Sequence, residues 1–188
     1  MASRAFQNLS FGGKDDELLK KIKQLIEEGH KPKGFVLKWS AHSGQIKTVE
    51  YLVNNKIIEP DVDSNNPLIV AAGEGHTKVV EFLLKHKSVV KNINALDNEA
   101  FYEAIKGGHV EIVKALLKTN KVDPSIDNYK PFEKILHFSN PSEEILKIFL
   151  NHKKTNIKDI PEDLKKYKLF QDAAEFKKLG SFGKFLDL

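Results

Sequence analysis

Two glycine-containing stretches and seven histidines are the parts of this chain whose types and spacing could do chemistry. Gly73-Glu74-Gly75 and Gly180-Ser181-Phe182-Gly183-Lys184 invite comparison with loops that cradle phosphate. Such a loop needs glycines at fixed spacing after a strand and a terminal Lys-Ser/Thr, so that backbone N–H groups converge on the anion. The first stretch lacks a third glycine and a preceding strand, and the second lacks both the spacing and the hydroxyl. They read as helix-ending and tail glycines.

His76 and His109 hold the same place in successive similar segments. Packed helices would set them about 10 Å apart, too far to share a metal ion bound at about 2 Å. His30, His42, His86, His137 and His152 form no His-x-x-x-His pair and read as surface residues, His42 being of interest for its position. No nucleophile–base pair and no carboxylate pair stands out. The sequence therefore predicts no catalytic residues, no metal and no cofactor.

The elements that would position these residues are repetitive. Pro67-Leu-Ile-Val-Ala-Ala-Gly-Glu-Gly-His-Thr-Lys-Val-Val-Glu-Phe-Leu-Leu84 is echoed by Leu37–Val53 upstream and by Phe101–Leu117 downstream. The period is about 33 residues, the mark of units that stack because none can bury its own apolar face. In each unit a short apolar segment opens a helix, with Pro67 and Pro131 at first-turn positions where proline loses no hydrogen bond. Small residues follow, Ser40-Ala41 and Ala71-Ala72, and then Gly44, Gly75 or Gly108 ends the helix in a left-handed conformation. A second helix carries Val49/Leu52/Val53, Val79/Val80/Leu83/Leu84 or Ile112/Val113/Leu116/Leu117 at the i, i+3, i+4 spacing of one apolar stripe. Between units lie turn-rich runs, Glu59–Asn66 and Asp123–Lys130, which align with one another two repeats apart.

These residues resemble the ankyrin repeat family. Asn66-Pro67-Leu68-Ile69 stands where the family has Thr-Pro-Leu-His, and Ala71-Ala72, Gly75-His76 and Val79-Val80…Leu83-Leu84 fall in register. The resemblance implies an all-α ankyrin-repeat solenoid of about four helix-turn-helix repeats with helical capping units at both ends. A single domain over 1–188 would then hold N-terminal capping helices at 1–30, repeats at 31–60, 61–93, 94–124 and 125–155, and C-terminal capping helices at 156–188. The fourth repeat departs from the pattern at Phe138-Ser139-Asn140-Pro141, where Gly-His is lost. Phe176, Phe182 and Phe185 could cover the last repeat or dock a partner.

The family also implies that the repeated histidine bonds a neighbouring loop backbone, and that partners are held by turn tips and by the exposed end of each first helix. Carried onto this chain, the tips are Val62, Asp63 and Asn65, then Asn98 and Glu99, then Ile126, Asp127 and Tyr129. The helix positions include His42, Glu74, Lys106 and Phe138. Trp39, just before the small pair, is expected half-buried, and Tyr129 and Phe138 are aromatic where exposure is expected; such side chains are the usual anchors of an interface.

Composition narrows the function classes. There is no cysteine, so neither disulfides nor thiolate metal sites can form. Arg4 is the single arginine among 30 basic residues, and the net charge is +4. Arginine supplies the planar fork that reads guanine and clamps phosphate, so specific nucleic-acid recognition is not expected. No run approaches the roughly 18 apolar residues of a membrane span, and the opening residues carry no apolar stretch of signal length. A cytoplasmic monomer is expected, a non-catalytic scaffold or adaptor. Acidic positions Asp63, Glu74, Glu99 and Asp127 on the expected face suggest a partner protein with basic character. The alternative is a lysine-rich module that binds anionic surfaces such as nucleic acid or membrane, or the targeting subunit of an enzyme complex.

Overall fold

The computed structural model describes residues 4–137, 142–168 and 170–172, and holds helices and turns with no strand among the described residues. The chain divides into two compact units, Met1–Glu103 and Ala104–Leu188.

The first unit contains α1 (Arg4–Gln7), α2 (Asp15–Glu27), α3 (Gly34–His42), α4 (Ile46–Asn54), α5 (Val62–Gly73), α6 (Thr77–Leu83), α7 (Lys87–Lys91) and most of α8 (Ala95–Lys106). Its helices form two layers. α2, α4 and α6 lie side by side in one, α3 packs on α5 in the other, and the α3–α4 and α5–α6 contacts join them. The apolar stripes of the second helices supply the core: Val49, Leu52, Val80 and Leu83 are fully buried. Each such side chain contributes about 1.5–3 kcal/mol on burial. Ala41, Ala71 and Ala72 are also fully buried, and their small size lets α3 and α5 approach closely. Ser40, equally buried, is satisfied by donating its hydroxyl to the Val36 carbonyl at 2.7 Å.

Gly44 (φ +67) and Gly75 (φ +78) end α3 and α5 as the sequence predicts. After each of them the chain returns a bond to the helix, Gln45 N–H to Ser40 O and His76 N–H to Ala71 O, both 2.9 Å. The second helices close in the same way with other residues at the left-handed position. Gly29 (φ +86) follows α2 and Lys56 (φ +54) follows α4, where Lys56 N–H reaches Val53 O and Ile57 N–H reaches Leu52 O. This pair of bonds satisfies carbonyls that a helix end leaves orphaned.

The amino-terminal segment docks on α4. Gln45 donates its amide to the carbonyls of Phe11 and Gly13 at 2.9 and 2.7 Å. Asp15 accepts from the backbone N–H of Lys47 and Thr48 and from the Thr48 hydroxyl, so a carboxylate from α2 caps the neighbouring helix. Negative charge there also meets the positive end of the helix dipole. Beside it, Lys47 bonds Asp16, which holds its ammonium above the usual lysine range.

Two of the connections between repeats have structure of their own. The turn before Pro67 is a run of three left-handed residues, Asp63, Ser64 and Asn65, with φ of 52, 59 and 63°, so the regular part of α5 starts only beyond them and Pro67 sits in its first turn. The stretch after α6 contains a short helix, α7, which places Val89 fully in the core.

The second unit contains the end of α8, then α9 (Val110–Lys118), α10 (Ile126–His137), α11 (Glu143–Asn151), a 3-10 turn (Ile157–Asp159) and α12 (Glu162–Lys165). α9 packs beside α11, and α10 packs on α11 and α12. Ile112, Val113 and Leu116 are buried with Ile145, Leu146 and Phe149 as its core. Gly108 (φ +69) again ends a first helix, with His109 N–H on Ala104 O at 2.9 Å. Ser142 caps α11 by accepting from Ile145 N–H, and Lys114 on α9 bonds both Glu111 and Glu144 of α11. The bond to Glu111 leads in raising the Lys114 ammonium above its ordinary value. Phe176, Phe182 and Phe185, and the remainder of the expected carboxy-terminal cap, lie outside the described residues.

Candidate functional site

The histidine that the sequence marks as structural holds two repeats together. The His76 ring nitrogen Nε2 lies 2.8 Å from the His42 carbonyl oxygen, and since a carbonyl only accepts, Nε2 carries the proton. The same ring covers Gly44, where a Cβ would stand 2.6 Å from Nδ1. Gly44 is thus required twice, by its left-handed backbone and by the imidazole above it.

On the other side of that bond a row of exposed side chains begins. Trp39, 44% exposed, meets the His42 ring edge to face at 5.1 Å, and Lys38 stands over the indole at 5.8 Å. His42 Nδ1 lies 3.5 Å from Oε1 of Glu74, the residue that closes α5. Both side chains are about half exposed, so this pair, screened by water, contributes little to stability. Trp39 also walls an open depression of about 400 Å³ with Gln7, Leu9, Phe11 and Phe35. The helix positions of the first unit therefore come together as Trp39, His42 and Glu74.

The tips behave differently. Val62 is half-buried and leans with Asp63 over the start of α3, where a Cβ on Gly34 would come within 2.8 Å of both side chains; Asp63 is otherwise exposed. Asn65, expected at an exposed tip, is 1% exposed. Its amide donates to the carbonyls of Val89 and Asn92 at 2.9 and 2.6 Å, and Asn92 returns a bond to Asp61. Its side chain is a clasp between successive connections rather than a surface group. Asn98, one repeat on, is 3% exposed and also left-handed (φ +65), so it too is withdrawn from the surface. Glu99 is half-buried.

In the second unit Tyr129 corrects a further expectation. It is 5% exposed, with φ +64, and its hydroxyl is bonded to the backbone of Asn156. The reason is shared by Asn65 and Tyr129, which occupy equivalent places in the repeat. At this place in the repeat the left-handed side chain lies against the next connection, which covers it. Lys106 is exposed. Of Ile126 and Asp127 only the backbone is described, and Phe138 lies outside the described residues.

One exposed residue escaped the sequence reading. Leu96 is 60% exposed and left-handed (φ +51), at the position that Asp63 holds in the preceding repeat. Alignment of the repeats was the signal that could have found it. An aliphatic side chain held in that conformation costs on the order of 1–2 kcal/mol.

Among the described residues no group of three His, Asp or Glu side chains is placed to hold a metal ion, and no helix is long and apolar enough to cross a membrane. Compared with known proteins, residues 13–97 match the model of ankyrin repeats in three copies. Over 104 residues the chain is 35% identical to leucine-rich repeat serine/threonine-protein kinase 1 of Mus musculus. That likeness takes in 54% of this chain and 5% of the kinase, so the chain spans only a small part of that relative's length. The matched stretch includes the helix pairs whose first helices end at Gly44 and Gly75, so residues 13–97 are similar to ankyrin repeats.

Proposed function

We propose that this protein is a non-catalytic interaction module that holds a partner protein on the exposed helix ends and tips of its first unit. Ankyrin repeats in general mediate protein–protein interaction. The observation that carries the reading for this chain is the pair Trp39 and Leu96, large apolar side chains left 44% and 60% exposed. One stands at a first-helix position and the other at a tip, the two kinds of place from which ankyrin repeats contact partners. Burying an indole and an isobutyl group against a partner would each contribute about 1.5–3 kcal/mol, enough to act as anchors. Asp63 and Glu74, exposed in the same unit, support a partner with basic character.

The test is affinity capture from an extract, with the captured polypeptide then purified and its affinity measured. Trp39→Ala and Leu96→Ala are expected to weaken binding at least tenfold each, with helical content unchanged. Asp63→Lys with Glu74→Lys is expected to weaken it further and to reduce its dependence on salt. Full affinity in the Trp39→Ala/Leu96→Ala double variant would refute the reading.

A further inference from the structure

The second unit contains a cavity that the interaction surface does not use. It lies between the carboxy-terminal turns of α9 and α11, has a volume of about 240 Å³, and is lined by Leu117, Lys118, Asn120, Ile148, Asn151, His152 and Lys153. It exists because the two helices end differently. α9 turns back through Thr119 and a left-handed Asn120 (φ +58), whereas α11 leaves in an extended direction at His152 (ψ 140). The diverging chains open a cleft over the stripe residues Leu117 and Ile148, which are 2% and 6% exposed and form its apolar floor.

The polar part of the lining is one-signed, with two lysines and no carboxylate. The nearby acid, Asp123, is already engaged. Ser125 gives it both its N–H and its hydroxyl, and Lys154 stands 3.4 Å away. Burial alone would raise the Asp123 carboxyl, but these partners outweigh it and hold it below the usual range. Lys118 and Lys153 pair with no carboxylate among the described residues. His152 Nδ1 accepts from Lys154 N–H at 3.3 Å, so in the neutral ring the proton sits on Nε2. Burial leads in holding His152 below its ordinary value, which keeps it in that neutral, donating form at physiological pH.

The helix ends themselves oppose an anion, each with about half a unit of negative charge. Their carbonyls are largely occupied, however. Thr119 N–H takes Leu116 O, Asn120 N–H takes Leu117 O, the Asn120 amide takes Lys118 O, and His152 N–H takes Phe149 O. Two full positive charges outweigh the remainder.

The geometry points to this cavity as a binding site for a small organic anion, a carboxylate or phosphate head on a compact apolar body. The body rests on Leu117 and Ile148, and the head meets Lys118 and Lys153. A cavity of about 150 Å³ is enough for a benzene ring, so this one holds a ring together with its charged head.

The test is a titration of the full chain at physiological salt, followed through its backbone amide resonances. The probes are phenyl phosphate, benzoate, inorganic phosphate and benzyl alcohol. Phenyl phosphate or benzoate is expected to shift amides of residues 117–120 and 148–153 saturably. Inorganic phosphate and benzyl alcohol, each lacking one half of the chemistry, are expected to bind at least tenfold more weakly. Lys118→Ala with Lys153→Ala, both exposed and removable without touching the core, is expected to weaken phenyl phosphate binding at least tenfold. Equal affinity for inorganic and phenyl phosphate, shifts spread over the surface lysines, or an unaffected double variant would each overturn the proposal. So would the absence of saturable shifts with any of the four probes.

Discussion

Tyr129 donates its hydroxyl to the carbonyl oxygen of Asn156 at 3.1 Å and accepts from the Asn156 N–H at 3.3 Å. In the first unit Asn65 gives its amide to the carbonyl of Asn92. Both links span 27 residues, and both start from a buried, left-handed residue just before a helix-opening proline. The repeat therefore contains a clasp, made by an amide in one place and a phenol in the other.

Removing only the hydroxyl of that clasp with Tyr129→Phe is expected to cost about 1 kcal/mol, the net worth of a typical hydrogen bond. The loss stays small because Asn156 is itself exposed and water can replace the phenol. Tyr129→Ala, which also empties the buried ring's place, is expected to cost about 3–5 kcal/mol. Urea midpoints of the two variants separate the clasp from the packing.

The left-handed positions after each helix give a graded set. At Gly29 nothing lies within 4 Å of an added Cβ, so Gly29→Ala carries only the backbone penalty, about 1 kcal/mol. At Gly44 the same change drives a Cβ to 2.6 Å from the His76 ring. Gly44→Ala is expected to cost at least about 1–3 kcal/mol more, the usual range for overpacking. Lys56→Gly relieves a strained position whose side chain is exposed, and should raise stability by about 1 kcal/mol. Stabilities of the three variants falling in any other order would contradict this account.

Stability should also depend on pH through His152. Its pKa in the folded chain lies below the ordinary 6.5, chiefly through burial, with Lys153 and Lys154 opposing and Asp123 favouring its charge. Protonation therefore favours the unfolded chain. The contribution is complete above pH 6.5 and is lost as the pH falls from there towards the lowered folded value. Asp123, held below 3.8, adds a separate loss as the pH falls through 3.8. Thermal unfolding of the protein and of His152→Asn, compared between pH 7.5 and 5, should show a steeper acid decline in the unmodified chain. Parallel curves would exclude the effect.

The sequence by itself determined the repeat, the helix pairs and their ends. Those features are local: a stripe at i, i+3, i+4 can only face one way, and Gly44, Gly75 and Gly108 take a left-handed turn that other residues resist. The family resemblance also assigned His76 to a neighbouring backbone, as the structure shows. Only the tertiary structure decided which tip side chains face water. Asn65 and Tyr129 are buried because segments 24 to 27 residues further on supply their partners, and no local pattern records such a meeting. Leu96, with the same left-handed backbone, remains outside, as Asp63 does one repeat earlier, and Trp39 is exposed while its neighbours Ser40 and Ala41 take the buried side of the helix. The same long-range geometry made the cleft between α9 and α11, which arises from two helices ending in different directions rather than from any motif in either.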